Sequence, residues 1–281
     1  MDSRFETALA ELSKNTLTNV PAHLRESILY SLLSGGKRIR PRIVRAVSEV
    51  LGLSESVAMK LATAVEMVHA YTLVHDDLPA MDDDDTRRGK PTNHRAFGEA
   101  TAILAGDSLA LLAFDVLESL RGELNDGAAL DTMRLLLDAA GARGVVAGQS
   151  SELDLMEGRS PKNLETLFEI FRLKTGALFR ASIALPFAAA GRTLPERFGL
   201  LGETVGIAFQ IADDLEDDFG AMRGNPAHVA AYLIPGEARL KAEEMLVGAM
   251  AASSESEPEI TKALSYFVDE LLRKVSESSA L

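Results

Sequence analysis

The chain has 281 residues, 47% of them hydrophobic, enough to bury a sizeable core. It has no cysteine, which excludes disulfides, thiolate metal centres and thiol nucleophiles and suits a reducing compartment. Its net charge of −13 argues against broad binding to nucleic acid or to an anionic membrane.

Ala and Leu are abundant, strand-type alternation is missing, and Gly and Pro fall mostly between segments of helical period, so the expected class is all-α, as one domain over 1–281. The opening MDSRFETALAELSKN is amphipathic and charged, without a secretory apolar core. No uninterrupted apolar run long enough to span a bilayer is visible, and a soluble cytoplasmic protein is expected.

Arg4–Leu12 reads as a first helix, Asn19-Val-Pro21 breaks it, and His23–Leu33 reads as a second. Then comes Ser34-Gly-Gly-Lys-Arg-Ile-Arg-Pro-Arg42. Its glycines allow a turn, and Pro41 suits the first turn of the helix that follows, Pro41–Val50. A helix start flanked by Lys37, Arg38, Arg40 and Arg42 is a ready anion site, although such a turn alone is more often a solvated basic loop.

The next helix begins at Leu53-Ser54-Glu55 and runs to Leu78. His69, Leu73, Asp76 and Asp77 fall on one face of it, so His69 lies on the same side as the two aspartates. Pro79 interrupts it, and Asp82 is expected to return beside Asp76. Asp76, Asp77 and Asp82–Asp85 put six carboxylates in ten positions, followed by Arg87, Arg88 and Lys90. Carboxylates at the end of a buried helix are costly unless neutralised. A hard divalent cation suits them, since Mg2+ is often held by one or two carboxylates plus substrate phosphates, which adjacent arginines would also grip.

Ala96–Leu120 and Leu130–Gly148 read as further apolar helices. Inside the first, a buried Asp107 would need a partner. Gln149, Glu152, Asp154 and Glu157 follow the second. Leu164–Ala190 carries Lys174-Thr175-Gly176 in its middle, and such a lysine needs an anionic partner or a route to water. In Phe198–Asp217, Gln210, Asp213, Asp214 and Asp217 fall at i, i+3, i+4 and i+7, one polar stripe on an apolar helix. Opposed across a bundle, the two carboxylate faces would clamp metal ions. No short repeat or low-complexity linker is visible apart from the Ser/Glu-rich Ala252–Pro258.

Two acidic clusters, basic patches and a lining of Ala, Leu, Phe, Met and Tyr describe a site for two polyanions with apolar tails. A diphosphate leaves readily once metal and cations take its charge. No Ser/His/Asp order, Cys/His pair or glycine-rich nucleotide loop competes. The implied chemistry is ionisation of an allylic diphosphate and capture of the cation by a second substrate's double bond.

GGKRIRP, VHAYTLVHDDLPAMDDDDTRRGKPT, AILAGD, GQSSELD, KTGALF and FQIADDLED occur in the order found in the trans-isoprenyl diphosphate synthases, and the chain resembles that family, in particular its bacterial farnesyl diphosphate-forming members. The resemblance implies a bundle around a central cavity, a homodimer, and head-to-tail condensation of isopentenyl diphosphate with an allylic diphosphate. It implies that Lys37, Arg40, His69 and Arg88 hold isopentenyl diphosphate. Arg87 and Lys174, with Thr175 and Gln210 nearby, would hold the allylic diphosphate. Asp76, Asp82 and Asp213, with Asp217, would ligate three Mg2+ ions, Mn2+ being the alternative, and Asp77 joins the catalytic set. Tyr71 and Thr72 would set product length from below Asp76.

One segment departs from the pattern. The loop after Asp217 is short and lacks the family's usual lysine. No lysine occurs between Lys174 and Lys241, Arg223 is the cation left in the gap, and His228 falls near a usual lysine position. Three readings stay open here: an active farnesyl-forming enzyme with Arg223 as substitute, a geranylgeranyl-forming one, and a weakly active or non-catalytic homologue. A terpene cyclase needs no second diphosphate site, and Lys37, Arg40 and Arg88 argue for one.

Overall fold

In the computed structural model, which describes residues 3–254 and 257–277, the chain is all-α apart from one two-residue hairpin. Met1, Asp2 and two residues of the Ser/Glu-rich stretch, Glu255 and Ser256, lie outside the described residues. The chain forms two compact units, Met1–Met133 and Arg134–Leu281.

The first unit comprises α1 (Ser3–Thr16), α2 (Ala22–Leu32), α3 (Ile39–Val50), α4 (Glu55–Asp76), β1 (Thr86–Arg87), β2 (Lys90–Pro91), α5 (Asn93–Phe97), α6 (Glu99–Glu118) and the start of α7 (Asp126–Ala140). Helix α4 is its centre. Ser54 caps it by accepting from the Val57 N–H at 3.2 Å. Apolar residues occupy every side of α4, so α1, α2, α3 and α6 all pack on it. It stops at Asp76, three residues before Pro79. In the hairpin, Arg88 and Gly89 both take positive φ, 54° and 75°, as a tight two-residue turn requires.

Two stretches, Glu55–Asp76 and Glu99–Gly122, are long and apolar enough to cross a bilayer by length and mean composition, although neither is the uninterrupted apolar run that the sequence was searched for. Isolated polar residues interrupt the runs without bringing the mean hydropathy down. The first is a core helix, 72% buried; the second is 39% buried.

The second unit holds the rest of α7, then α8 (Val145–Met156), α9 (Leu164–Phe171), a π turn at Arg172–Gly176, α10 (Ala177–Ala189), α11 (Glu196–Asp214), α12 (Pro235–Ser253) and α13 (Pro258–Glu277). Helix α11 is central, flanked by α10, α12 and α13. The single helix expected over Leu130–Gly148 is two, because Gly141 and Gly144 weaken a helix interior and the chain turns there. Gly148 of α8 and Gly206 of α11 meet the π turn at its backbone, the first at Lys174 and the second at Gly176, where no side chain fits.

Candidate active site

In the first unit the aspartate cluster is a closed turn. The Asp82 N–H donates to the Asp76 carbonyl at 2.9 Å, which brings Asp82 back to Asp76 as expected. Asp76 and Asp82 keep surface exposure, whereas Asp77 is buried. The Arg87 guanidinium donates to Asp77 at 2.5 Å and to Asp84 at 2.8 Å. Burial pushes the Asp77 carboxyl up and Arg87 pulls it back. Asp77 is thus occupied by an arginine, and the two adjacent aspartates differ in surroundings.

Arg88, at the hairpin tip, donates to Ser34 Oγ at 3.2 Å and to the Gly35 carbonyl, so it packs against the Gly-Gly turn that carries Lys37. Tyr30, Ser34, Glu66, Asp77, Arg87 and Arg88 line a cleft there. Lys37 is exposed and Arg40 half-buried. The His69 imidazole is held well below its ordinary range, chiefly by burial, then by Arg40, Arg88, Arg38 and Arg87. Arg40, His69 and Arg88 are therefore gathered within this unit, while Lys37 stands exposed on the neighbouring turn.

The turn has an anchor the sequence did not disclose. Arg38 takes a left-handed backbone, φ 48°, and its guanidinium is buried. It donates to Glu6 at 2.9 Å, to the Leu32 carbonyl at 3.0 Å and to buried Glu66. Burial raises the Glu66 carboxyl, and Arg38 opposes it. Arg38 was legible only as one of four basic residues.

Tyr71 is buried, and burial, then Asp76, push its phenol up to about 12. Its ring meets His75 edge-on at 6.0 Å. Thr72, half-buried, donates to the His69 carbonyl at 2.9 Å. Asp107 is exposed, 3.8 Å from His75 Nε2, so it needs no buried partner.

In the second unit, Lys174 sits in the π turn and donates to Glu152 of α8, the anionic partner its setting requires. Next to it Thr175 donates to Gln210 Oε1 at 3.2 Å, and Gln210 donates to Asp214 at 3.1 Å. Asp214 also accepts from the Val229 N–H at 2.9 Å, which ties the short loop after α11 to the helix end. Burial raises the Asp214 carboxyl to about 6. Helix α11 ends at Asp214, so Asp217 lies beyond it, off the expected stripe and exposed. His228 is buried, with Nε2 3.5 Å from Asp217, and Arg223 is exposed. Lys274 of α13 pairs with Asp213 and lies 3.5 Å from Glu216. Sequence reasoning missed Lys274; the only signal was a lysine beside the apolar face of an amphipathic helix.

Among the described residues no three acidic or histidine side chains already gather as a metal site. The donors present still fit Mg2+, which keeps several waters and completes its shell with phosphate oxygens.

A match to the polyprenyl synthetase family covers residues 21–224. The chain belongs to that family. It is 45% identical over 200 residues to farnesyl diphosphate synthase of Escherichia coli (strain K12), covering 69% of this chain and 66% of that one. It is 43% identical over 222 residues to the chloroplastic geranylgeranyl pyrophosphate synthase 12 of Arabidopsis thaliana, covering 77% and 61%. A crystal structure of geranyltransferase from Legionella pneumophila superposes with a TM-score of 0.81 at 33% identity, over 96% of this chain and 94% of that one. Both aspartate-rich segments lie within the matched region, and the loop of residues 218–234 begins inside it and ends outside it.

Proposed function

We propose that this protein is a prenyltransferase that condenses isopentenyl diphosphate with dimethylallyl or geranyl diphosphate to give farnesyl diphosphate, with release of diphosphate. The observation that carries the proposal is the gathering of Arg40, His69 and Arg88 with Arg87, which bonds Asp77 in the aspartate turn, in a chain 45% identical to a farnesyl diphosphate synthase. Residues 1–281 act as one catalytic domain on this reading.

Mg2+, three ions on Asp76, Asp82, Asp213 and Asp217, would offset the charge of the leaving diphosphate. Arg87 and Lys174 hold the allylic diphosphate, Arg87 fixed by Asp77 and Lys174 by Glu152. Thr175 and Gln210 orient it. Lys37, Arg40, Arg88 and neutral His69 hold isopentenyl diphosphate. The allylic C–O bond breaks with its electron pair going to diphosphate, the isopentenyl double bond attacks the cation, and a proton leaves to the released diphosphate. Tyr71 and Thr72 close the path of the growing chain on the first side of Asp76.

A homodimer is proposed through α6, whose Ile103, Leu104 and Leu111 are exposed apolar residues, and a cytoplasmic location goes with the soluble substrates. The test is incubation with Mg2+, isopentenyl diphosphate and each allylic diphosphate, then phosphatase treatment and chromatography. Farnesol is expected. Geranylgeraniol would reassign the product, a hydrocarbon without phosphatase would mean a cyclase, and no product would mean a non-catalytic homologue.

A further inference from the structure

The loop of residues 218–234 supplies no lysine to the second aspartate cluster, and its one arginine, Arg223, is exposed on a short turn. The cluster nonetheless has a cation, and it comes from α13. The Lys274 ammonium donates to Asp213 Oδ1, lies 3.5 Å from Glu216, and stands 4.9 Å from the centre of the Phe209 ring. Its side chain is only 15% exposed. Leu271 and Val275, one turn before it and one residue after it, are buried with Ile260, Leu264, Phe267 and Val268, so the apolar face of α13 fixes where Lys274 points.

Stability alone gives little reason for this pair, because the Asp213 carboxylate stays in contact with water and such an ion pair contributes little. The local charge is more telling. Asp213, Glu216, Asp217 and Asp218 crowd one helix end, and Lys274 answers one of them directly. An ammonium is a point charge with three donors on a flexible stem, able to change acceptors without moving its backbone. If a divalent ion took the Asp213 oxygen, the ammonium would keep Glu216 at 3.5 Å and have donors to spare for a phosphate oxygen brought with that ion.

We propose that Lys274 is a diphosphate-binding residue, which gives up Asp213 to Mg2+ and takes an oxygen of the allylic diphosphate in exchange. The last helix thereby provides the cation that the short loop lacks. This rests on the proposed function above, in which Asp213 ligates Mg2+ and an allylic diphosphate is the substrate.

The test is calorimetric titration of the full-length protein with inorganic diphosphate at saturating Mg2+, and with Mg2+ alone, for wild type, Lys274→Gln, Lys274→Arg, Arg223→Gln and Lys262→Gln, the last an exposed lysine on the same helix. Lys274→Gln should weaken diphosphate binding about tenfold, the scale of one charge-assisted hydrogen bond. It should bind Mg2+ alone at least as tightly as wild type, since a competitor for Asp213 is gone. Lys274→Arg should keep most of the diphosphate affinity, and the other two variants should match wild type. In turnover assays the allylic KM of Lys274→Gln should rise while that for isopentenyl diphosphate stays unchanged. The proposal is overturned if Lys274→Gln binds diphosphate like wild type, if Arg223→Gln shows the loss instead, or if Lys274→Gln weakens Mg2+ and both substrates alike. A wild-type protein that makes no prenyl product while Lys274→Gln still loses diphosphate affinity would refute the proposed function and leave Lys274 as a diphosphate ligand.

Discussion

Replacing Arg38 with methionine tests the anchor of the Gly-Gly turn. Arg38 is 8% exposed and Glu66 3%, so the variant leaves a carboxylate buried with its direct cation removed. Breaking a buried pair from one side costs about 3–5 kcal/mol. Arg40 and Arg88 also act on Glu66, which puts the expected loss at the lower end, about 3 kcal/mol. Methionine inherits the same left-handed backbone, so the difference reports the charge and its hydrogen bonds. For a chain of this size that loss lowers Tm by about 6–12 °C, readable by calorimetry or urea unfolding. The double variant Arg38→Met/Glu66→Met should recover most of the stability, because two apolar side chains replace the pair. It should not recover binding, since Lys37 and Arg40 flank the lost anchor, and KM for isopentenyl diphosphate should stay raised. A single variant that loses less than about 1 kcal/mol, or a double variant no better than the single, would refute the buried pair as the anchor.

Tyr71→Ala should lengthen the product, because a buried ring close to Asp76 is removed; chromatograms with no species longer than wild type would clear Tyr71 of that role. His69 is held neutral in the fold by burial and four arginines, while the unfolded chain takes its proton near pH 6.5. Its contribution is therefore constant above that pH, and stability falls as pH drops below it, by at most about 1.4 kcal/mol per unit; His69→Gln should flatten that part of the unfolding profile. Gly206→Ala puts a methyl into the backbone of Gly176 and should cost about 1–3 kcal/mol in urea unfolding, so an unchanged midpoint would contradict the close approach.

Helix order and the Asp82 return to Asp76 were legible in the sequence, because they follow from periodicity and a proline stop, and for Lys174 the cost of a lone buried charge left an anionic partner or a route to water, of which the structure shows the partner Glu152. What was not legible depends on contacts between distant residues. The bonds of Arg38 to Glu6 and Glu66, and of Lys274 to Asp213, join positions that no spacing rule connects. The stripe through Asp217 failed for a local reason: α11 ends at Asp214, and the Asp214 carboxylate holds the Val229 N–H, so the chain leaves the helical path three residues before Asp217. The division of α7 from α8 is hidden in the sequence because the apolar pattern continues across Gly141 and Gly144 while the helical backbone does not.

The π turn at Arg172–Gly176 amounts to one surplus residue wound into an otherwise continuous helical run from α9 to α10. Deleting one residue there would let the run relax into ordinary α-helix. The flanking helices would keep their register, but the residues of the turn itself would be re-aimed, taking Lys174 and Thr175 out of line with Glu152 and Gln210. A shortened chain of this kind should come out of selection for heat resistance sooner than out of selection for turnover, and the irregular coil marks a place where ruggedness has been traded for aim.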